Sequence, residues 1–258
     1  MTFVEKRKEK LRTIILAAGK GTRMKSDLAK ALHPLCGEPM LSYVVETAKL
    51  MDSEEIIVIV GHQARAVEER FPNQDLIFIE QRQLLGTGHA VLQARERLEN
   101  YDGVVLILCG DVPLLRPSTV RSLLDRHVAT EAPVTVLTTV LSDPTGYGRI
   151  VRGPGGEVLR IVEERDATVE EKKIGEINTG IYCAERKFLF DALMGVDNNN
   201  NQKEYYLTDI IHIAHENGFK AEGMVVRDHR EAMGINTHDD LEKACFYLRN
   251  MDEGELDL

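Results

Sequence analysis

Residues 13–24, TIILAAGKGTRM, join a short apolar run to a loop rich in glycine and basic side chains. The apolar run predicts a buried strand, because it is short and β-branched. Gly19 and Gly21 lack a Cβ, which permits a tight turn and lets backbone N–H groups approach an anion. The alternative for these glycines is an ordinary strand-to-helix turn whose basic residues are solvated.

The spacing of this loop excludes two familiar phosphate-binding motifs. A GxGxxG loop needs a third glycine where this chain has Met24, and a P-loop needs a Gly-Lys-Ser/Thr sequence that is absent. The basic side chains instead predict a positive cluster beside a phosphate cradle. Such a cluster suits transfer of a nucleotidyl group, because negative charge accumulates on the pentacovalent phosphorus and on the departing pyrophosphate. The cluster comprises Lys20, Arg23, Lys25 and Lys30.

Short β-branched runs alternate with longer amphipathic segments over the first 140 residues. This alternation predicts an α/β fold with a mainly parallel sheet and helices on both faces. Such sheets bind ligands beyond the carboxyl ends of their strands. The predicted strands are 13–16, 56–60, 76–79, 104–108 and 134–140, and the predicted helices are 40–51, 64–70, 89–99 and 117–127.

After Pro144 the pattern changes to that of a smaller α+β lobe laid over the first. A Gly-rich turn at 153–156 predicts a hairpin, because Gly and Pro favour tight connections between strands. Thr208 and Asp209 predict the capped start of a helix. The elements expected here are a hairpin of 149–151 with 158–162, strands at 176–183 and 224–227, and helices at 208–217 and 239–250.

Composition excludes several classes of protein. With 258 residues and a net charge of −10, the chain is a poor candidate for binding nucleic acid, which requires clustered Lys and Arg. No apolar stretch approaches the roughly 18 residues of a membrane span, and the run after the charged N-terminus is too short for a signal peptide. The cysteines have no CxxC spacing, so we expect reduced, mostly buried thiols in a cytoplasmic protein. They are Cys36, Cys109, Cys183 and Cys245.

Further motifs follow the glycine-rich loop in a fixed order. The loop resembles the signature of the sugar-1-phosphate nucleotidyltransferases, and the later motifs narrow the resemblance to one branch. From about residue 12 to about residue 249, the chain is similar to the uridyltransferase domain of the bacterial bifunctional N-acetylglucosamine-1-phosphate uridyltransferases/glucosamine-1-phosphate acetyltransferases. The motifs are QLLGTGHA (83–90), GDVP (110–113), DPTGYGRI (143–150), EINTG (176–180) and EYYLTDII (204–211).

The resemblance implies a Rossmann-like fold of the nucleotide-diphospho-sugar transferase type. It also implies Mg²⁺-dependent transfer of UMP from UTP to N-acetylglucosamine 1-phosphate, giving UDP-N-acetylglucosamine, a peptidoglycan precursor, and pyrophosphate. We expect a nucleotide-binding part at 12–142, a sugar-binding part at 143–235 and a closing helix at 236–250. A charged extension, 1–11, and an acidic tail, 251–258, flank this domain.

The resemblance carries over roles residue by residue. Arg23 and Lys30 are the expected catalytic residues, and Asp111 and Asn236 are the expected Mg²⁺ ligands. The expected nucleotide-binding residues are Leu16, Ala17, Ala18, Gly19, Gly21 and Thr22, with Gln81, Gly86 and Thr87 at the uracil. The expected sugar-binding residues are Gly110, Gly148, Glu163 and Asn178.

Most of these residues have a structural alternative. A strand-end aspartate such as Asp111 can hold Mg²⁺ through oxygen, but it can also cap a turn. Asn236 precedes the last helix and can serve as its N-cap. Gln81 has an amide suited to a pyrimidine edge, but it can equally belong to a polar loop. Glu164 is a neighbour that makes the assignment of Glu163 uncertain by one residue. The segment Glu204–Tyr206 is expected to form a pocket wall, and either tyrosine can equally pack in the core.

Three departures from the resembled family limit the carry-over. Cys109 stands where tyrosine is common, and Ala29 stands where proline usually precedes the catalytic lysine. The chain also lacks the hexapeptide repeats of the family's β-helix, so we expect no acetyltransferase activity, and the oligomeric state stays open. The alternatives are another sugar 1-phosphate or nucleotide, or a catalytically silent sugar-nucleotide sensor. The joint presence of Arg23, Lys30, Asp111 and Asn236 disfavours a sensor. Scattered histidines predict no metal site.

Overall fold

The structure, a computed structural model, describes residues 10–72 and 74–250. Its centre is a nine-stranded sheet built on the predicted apolar runs. Most of these runs are buried because helices cover both faces of the sheet, whereas the run at 76–79, at the sheet's edge, is only half-buried. The described strands are β1 (Leu11–Ala17), β2 (Pro34–Leu35), β3 (Glu38–Pro39), β4 (Ile56–Val60), β5 (Leu76–Glu80), β6 (Val104–Cys109), β7 (Val134–Val140), β8 (Arg149–Arg152), β9 (Val158–Val162), β10 (Glu176–Glu185) and β11 (Glu222–Val225).

The sheet order is β11-β7-β10-β6-β1-β4-β5, with the β8–β9 hairpin attached to β10. Strand β1 is parallel to β4 and β6, β4 is parallel to β5, and β11 is parallel to β7. Strand β10 is antiparallel to its neighbours β6 and β7. The expected mixed, mainly parallel sheet is therefore confirmed. Strands β10 and β11 follow residue 143, so one sheet contains strands from both the nucleotide-binding part and the sugar-binding part. The division of the chain into these two parts stays a prediction.

Helices cover both faces of the sheet and create two main cores. Strand side chains alternate between the faces, so Ile14 packs into one core and Ile15 into the other. The described helices are α1 (Met40–Leu50), α2 (Ala64–Arg70), α3 (Thr87–Leu92), α4 (Pro117–Thr130), α5 (Arg186–Gly195), α6 (Asp209–Glu216) and α7 (His238–Asn250). The first core contains residues of α3, α5 and α6, and the second contains residues of α1, α2 and α4.

A third, smaller core lies under α7 and next to the glycine-rich loop. Met24 is fully buried in it together with Met40 and Ile235, and Leu241 of α7 is almost buried. The burial of Met24 fixes the loop's far end, while the neighbouring Arg23 stays exposed. Apolar packing therefore decides where the basic side chains of the loop emerge.

Several element boundaries differ from the expectation. The helix expected at 89–99 is α3, which begins at Thr87 and ends at Leu92. Beyond it the backbone N–H groups of Gln93 and Ala94 bond to carbonyls three residues back, in a tighter turn. The strand expected at 224–227 lies at Glu222–Val225.

Thr208 occupies the expected N-cap position of α6, but the expectation that its side chain caps the helix is wrong. The Thr208 hydroxyl makes no capping hydrogen bond to α6, and it donates instead to Glu163 Oε1 at 3.1 Å. Thr208 is 3% exposed, so its hydroxyl needs a buried partner, and the Glu163 carboxylate supplies one.

The expectation of four reduced, mostly buried thiols is also wrong. Cys36, in the turn between β2 and β3, and Cys245, in α7, form a disulfide across a sequence separation of 209 residues. The other two cysteines, Cys109 and Cys183, are free thiols. The disulfide ties α7 to the segment that follows Lys30, so it braces the third core from outside.

The expected acidic tail, 251–258, and residues 1–9 of the expected N-terminal extension lie outside the described residues. Among the described residues, no helix has the length and apolar character needed to cross a membrane.

We predict that reduction of the Cys36–Cys245 disulfide destabilises the fold. Cross-linking such distant residues restricts the unfolded chain, and native disulfides typically contribute about 2–4 kcal/mol. Cys36 is exposed, so reductant has access to it. Thermal unfolding with and without reductant should show a loss of several degrees. Thiol titration in denaturant should find two free thiols before reduction and four after it; four free thiols in both samples would contradict the disulfide.

Candidate active site

The carboxyl ends of β1, β4, β5 and β6 meet at one edge of the sheet, because these strands are parallel neighbours. The loops that follow them therefore converge. Gly110 N donates to Leu16 O at 2.9 Å, which joins the glycine-rich loop to the segment after β6. This edge holds the basic loop, Asp111 and Gln81 in one region.

Four predicted residues form a single polar cluster at this edge. Lys30 Nζ donates to Asp111 Oδ2 and, at 2.7 Å, to Asn236 Oδ1. Arg23 donates to the same Asn236 oxygen, also at 2.7 Å. The cluster thus contains two cations, one carboxylate and one amide, and it keeps one net positive charge. We refer to Arg23, Lys30, Asp111 and Asn236 as the charged cluster.

Lys30 is positioned by a short 3₁₀ turn (Lys30–Leu32) and by a close backbone approach. Gly21 has a φ of +61°, and a Cβ built there would lie 2.7 Å from Lys30 Cβ. Gly21 therefore has two reasons to be glycine. Ala29 N donates to Gln63 Oε1 at 2.9 Å, a bond that proline could not make, which accounts for alanine at this position.

Asn236 is held by its backbone and by its Nδ2, which donates to Gly234 O at 3.1 Å and so leaves Oδ1 to Lys30 and Arg23. Ile235 N donates to Asp111 O at 2.8 Å, linking this segment to the end of β6. Asp240 Oδ2 accepts from the backbone N–H groups of Asn236 and Thr237, at 3.0 and 2.9 Å. Thr237 Oγ1 in turn accepts from Asp240 N, so Thr237 and Asp240 cap α7 reciprocally. The alternative role of Asn236 as the helix cap is therefore filled by its neighbours.

A cavity of about 520 Å³ lies beside the charged cluster. Lys20, Ala31, Leu84, Ala90, Cys109 and Glu204 line it as well. Glu204 belongs to the segment expected as a pocket wall. Lys20 belongs to the basic cluster seen in the sequence, and this was its only signal. Gly21, Thr22, Arg23 and Asn236 are not part of the lining. The expected site residues in the lining are Leu16, Ala17, Ala18, Gly19, Lys30, Gln81, Gly86, Thr87, Gly110 and Asp111.

Gln81, Gly86 and Thr87 come together where α3 begins. A Cβ on Gly86 would lie 2.6 Å from Tyr205 O, because the segment containing Tyr205 packs directly against this turn. Thr87 Oγ1 accepts from Leu207 N at 3.1 Å, so the hydroxyl fixes that segment. The Gln81 side chain is 3% exposed and donates to Gly86 O at 3.1 Å.

The expected sugar residues Gly148, Glu163 and Asn178 form a second group. A Cβ on Gly148 would lie 3.5 Å from Glu163 Oε1 and 3.6 Å from Asn178 Cβ. Asn178 Oδ1 accepts from Tyr182 Oη and from Gly180 N, both at 2.9 Å, which orients the amide. No hydrogen bond from Asn178 Nδ2 is found within the part of the chain that the structure describes.

Glu163 and Glu164 have different surroundings. Glu164 accepts from Arg149 at 2.6 Å and from Gly146 N at 3.2 Å, so it braces the loop before β8. Burial is the main cause that raises the pKa of Glu163, and the Thr208 hydrogen bond opposes this shift. Glu163 is thus the carboxyl group beside Gly148 and Asn178, whereas Glu164 belongs to an ion pair.

The three expected sugar-binding residues Gly148, Glu163 and Asn178 do not line the large cavity, but hydrogen bonds connect Asn178 to the cavity lining. Gly180 N donates to Asn178 Oδ1, and Gly180 O accepts from Cys109 Sγ at 3.3 Å. Cys109 lines the large cavity at the end of β6. Burial raises the pKa of the Cys109 thiol, which keeps it neutral. Cys109 is therefore a small, uncharged residue that lies between the large cavity and the expected sugar-binding residues.

Known proteins of similar sequence belong to a class whose chemistry agrees with this site. Residues 13–168 match the family described as MobA-like NTP transferase domain. This chain belongs to that family. It is also 51% identical over 247 residues to a protein named "Bifunctional protein GlmU" from Geobacter metallireducens. A protein of the same name from Desulfotalea psychrophila is 46% identical over 244 residues.

The matched lengths differ among these relatives. The alignments cover 95% of this chain, but only 52% of the Geobacter metallireducens protein and 72% of the Desulfotalea psychrophila protein. The chain thus spans about half the length of the first of these relatives. The match confirms the expected NTP transferase family and its nucleotidyltransferase class.

A solved structure supports the fold. A crystal structure of UDP-glucose pyrophosphorylase complexed with UDP-glucose superposes with a TM-score of 0.75, covering 93% of this chain and all of the other, at 19% sequence identity. At this identity the likeness confirms the expected Rossmann-like nucleotide-sugar transferase fold and nothing finer.

We predict that Gly21→Ala destabilises the NTP transferase domain, whereas Gly19→Ala does not. At Gly21 a Cβ meets Lys30 Cβ at 2.7 Å in a left-handed conformation, which costs about 1–2 kcal/mol before any displacement. At Gly19 a Cβ meets nothing within 4 Å. Urea unfolding of the two variants measures the difference, and equal free energies of unfolding would contradict this account.

We predict that Asp240→Ala lowers the melting temperature more than Asp239→Ala. Both changes remove one negative charge from the first turn of α7, but only Asp240 accepts from the N–H groups of Asn236 and Thr237. Losing a cap costs about 1 kcal/mol. Calorimetry of the matched pair isolates the cap. If Asp239→Ala had the larger effect, helix-dipole electrostatics would outweigh capping.

Proposed function

We propose that this chain transfers UMP from UTP to N-acetylglucosamine 1-phosphate, giving UDP-N-acetylglucosamine and pyrophosphate. The observation that carries this proposal is the charged cluster beside the cavity of about 520 Å³. Family membership and 51% identity to a GlmU protein support nucleotidyl transfer. The motif resemblance supports uridine as the nucleoside and N-acetylglucosamine as the sugar.

The charged cluster fits Mg²⁺ by the chemistry of its donors. Asp111 Oδ2 and Asn236 Oδ1 both accept from Lys30 Nζ, so they are close enough to face one cation. Mg²⁺ favours oxygen ligands, and in nucleotide sites it uses few protein ligands besides water and substrate phosphates. When bound, the ion would neutralise phosphate oxygens and orient the reacting groups. Asp111 and Asn236 are therefore the residues that we assign to it.

The reaction needs no protein nucleophile. An oxygen of the sugar 1-phosphate attacks the α-phosphorus of UTP in line, and the bond from that phosphorus to pyrophosphate breaks. Arg23 can hold two phosphate oxygens at once, whereas Lys30 acts as a point charge. Both would stabilise charge that develops in the transition state. Backbone N–H groups of Gly19, Gly21 and Thr22 would cradle the phosphates.

The residues around Gln81 suit the uracil end of the product, and those around Glu163 suit its sugar end. A uracil edge would meet the Gln81 amide and the backbone of Gly86 in the large cavity. N-acetylglucosamine would meet Glu163, whose carboxylate accepts from hydroxyls, and Asn178, whose Nδ2 can donate to the acetyl oxygen. Holding both substrates fixed lowers the entropic part of the barrier.

We propose that the reaction takes place in the cytoplasm, where UTP is available. The product would serve as a peptidoglycan precursor. The partners required are the two small-molecule substrates. The Cys36–Cys245 disulfide is unusual for a reducing compartment.

Pyrophosphate release from purified chain, with Mg²⁺ and a panel of nucleotides and sugar 1-phosphates, tests the proposal. We expect the highest kcat/KM with UTP and N-acetylglucosamine 1-phosphate, and loss of release with EDTA. A preference for another sugar or nucleotide would keep the chemistry and refute the proposed substrates. Folded protein that releases no pyrophosphate with any pair would favour a sugar-nucleotide sensor.

We predict that Arg23→Ala lowers kcat by at least 100-fold, since removing one donor to transition-state charge costs about 3 kcal/mol. The substitution leaves the fold intact because the Arg23 side chain is exposed. Arg65→Ala is the control, since Arg65 is 91% exposed and pairs only with Glu69 on its own helix among the described residues. A normal kcat for Arg23→Ala would remove Arg23 from the mechanism.

A further inference from the structure

The Gln81 amide has an orientation that its neighbours impose. Its Nε2 lies 3.1 Å from Gly86 O and 2.9 Å from His89 Nδ1. A carbonyl oxygen only accepts hydrogen bonds, so the atom beside Gly86 O must be the amide nitrogen. The two amide hydrogens then point to Gly86 O and to His89 Nδ1. Within the described residues, no hydrogen bond to Gln81 Oε1 is found.

This arrangement fixes the state of the His89 ring. His89 Nδ1 must carry a lone pair to accept from Gln81, so the ring is neutral and its hydrogen lies on Nε2. Gln93 Nε2 lies farther away, 3.3 Å from His89 Nε2, and it donates to His89 O at 2.9 Å. The hydrogen on Nε2 faces the amide nitrogen of Gln93 across the longer contact, and a doubly protonated ring would add an N–H that faces the closer amide nitrogen, that of Gln81. Burial also lowers the pKa of His89 and so favours the neutral form.

The position of His89 makes it a support and not a ligand of the nucleotide. It lies in the first turn of α3, half-buried behind Gln81, and it is not among the residues that line the large cavity. Gln81 does line that cavity and is 3% exposed. The His89 side chain therefore reaches the cavity lining through its hydrogen bond with the Gln81 amide.

We propose that His89 is a positioning residue that selects the nucleobase, because its Nδ1 holds the Gln81 amide with the oxygen facing the cavity. This inference rests on the proposed use of UTP. An amide oxygen accepts from the N3–H of uracil, but it repels the N3 lone pair of cytosine. Thymine also carries N3–H, so this device separates UTP and dTTP from CTP and does not separate the first two.

His89→Asn and His89→Leu form a matched pair for the test. The two side chains branch alike, but Asn places an oxygen acceptor near the position of Nδ1, whereas Leu has none. We expect His89→Leu to lower the UTP-to-CTP ratio of kcat/KM about fivefold, the worth of one neutral hydrogen bond. The loss should lie mainly in KM for UTP, and the UTP-to-dTTP ratio should not change. His89→Asn should keep the ratio within about twofold of the unsubstituted chain.

The outcomes separate this inference from the proposed function. If the unsubstituted chain turns over UTP and both variants shift the UTP-to-CTP ratio equally, or neither does, the His89 role is overturned while the function stands. If the unsubstituted chain does not use UTP, the function fails. Nitrogen NMR of His89 in free protein reports the tautomer without turnover: we expect hydrogen on Nε2, and hydrogen on Nδ1 would overturn the inference.

Discussion

The candidate active site depends on the hydrogen bonds that the ammonium group of Lys30 donates to Asp111 and Asn236. This group joins Asp111 and Asn236, which lie 81 and 206 residues away in the sequence. Without Lys30, the Asp111 carboxylate would face the Asn236 oxygen at a partly buried position with no cation between them, although Arg23 would still donate to Asn236. Lys30 thus holds the glycine-rich loop, the end of β6 and the start of α7 together before any substrate binds, and with Arg23 it leaves a net positive charge for phosphate.

The same principle of prior orientation extends to the groups around this cluster. Asn178 is fixed through its oxygen by Tyr182 and Gly180, which directs the other end of the amide outward. Gln81 is fixed through its nitrogen by Gly86 and His89, and its oxygen has no hydrogen-bond partner among residues 10–72 and 74–250. The two amides are therefore held with opposite ends available, one as donor and one as acceptor. Such fixed polarity costs no reorganisation when a ligand arrives.

Sequence patterns predicted the sheet and the meeting of Arg23, Lys30 and Asp111, because parallel strands bring their carboxyl ends to one edge whatever their order. The place of β10 between β6 and β7 has no such local signal. The Cys36–Cys245 disulfide was missed because nothing in a separation of 209 residues indicates a pairing. Thr208 was expected to cap α6, but a buried carboxylate competed for its hydroxyl. His89 was overlooked because its role depends on one contact with Gln81.

Lys30 bonds to both residues that we assign to Mg²⁺, and substrates would have to redistribute these contacts. The most direct test is a crystal structure of the chain with Mg²⁺ and a UTP analogue whose α–β bridge cannot be cleaved. The account predicts a metal on Asp111 and Asn236, with Lys30 Nζ moved to a phosphate oxygen and uracil against Gln81. A nucleotide bound elsewhere, with the Lys30–Asp111 contact intact, would contradict it.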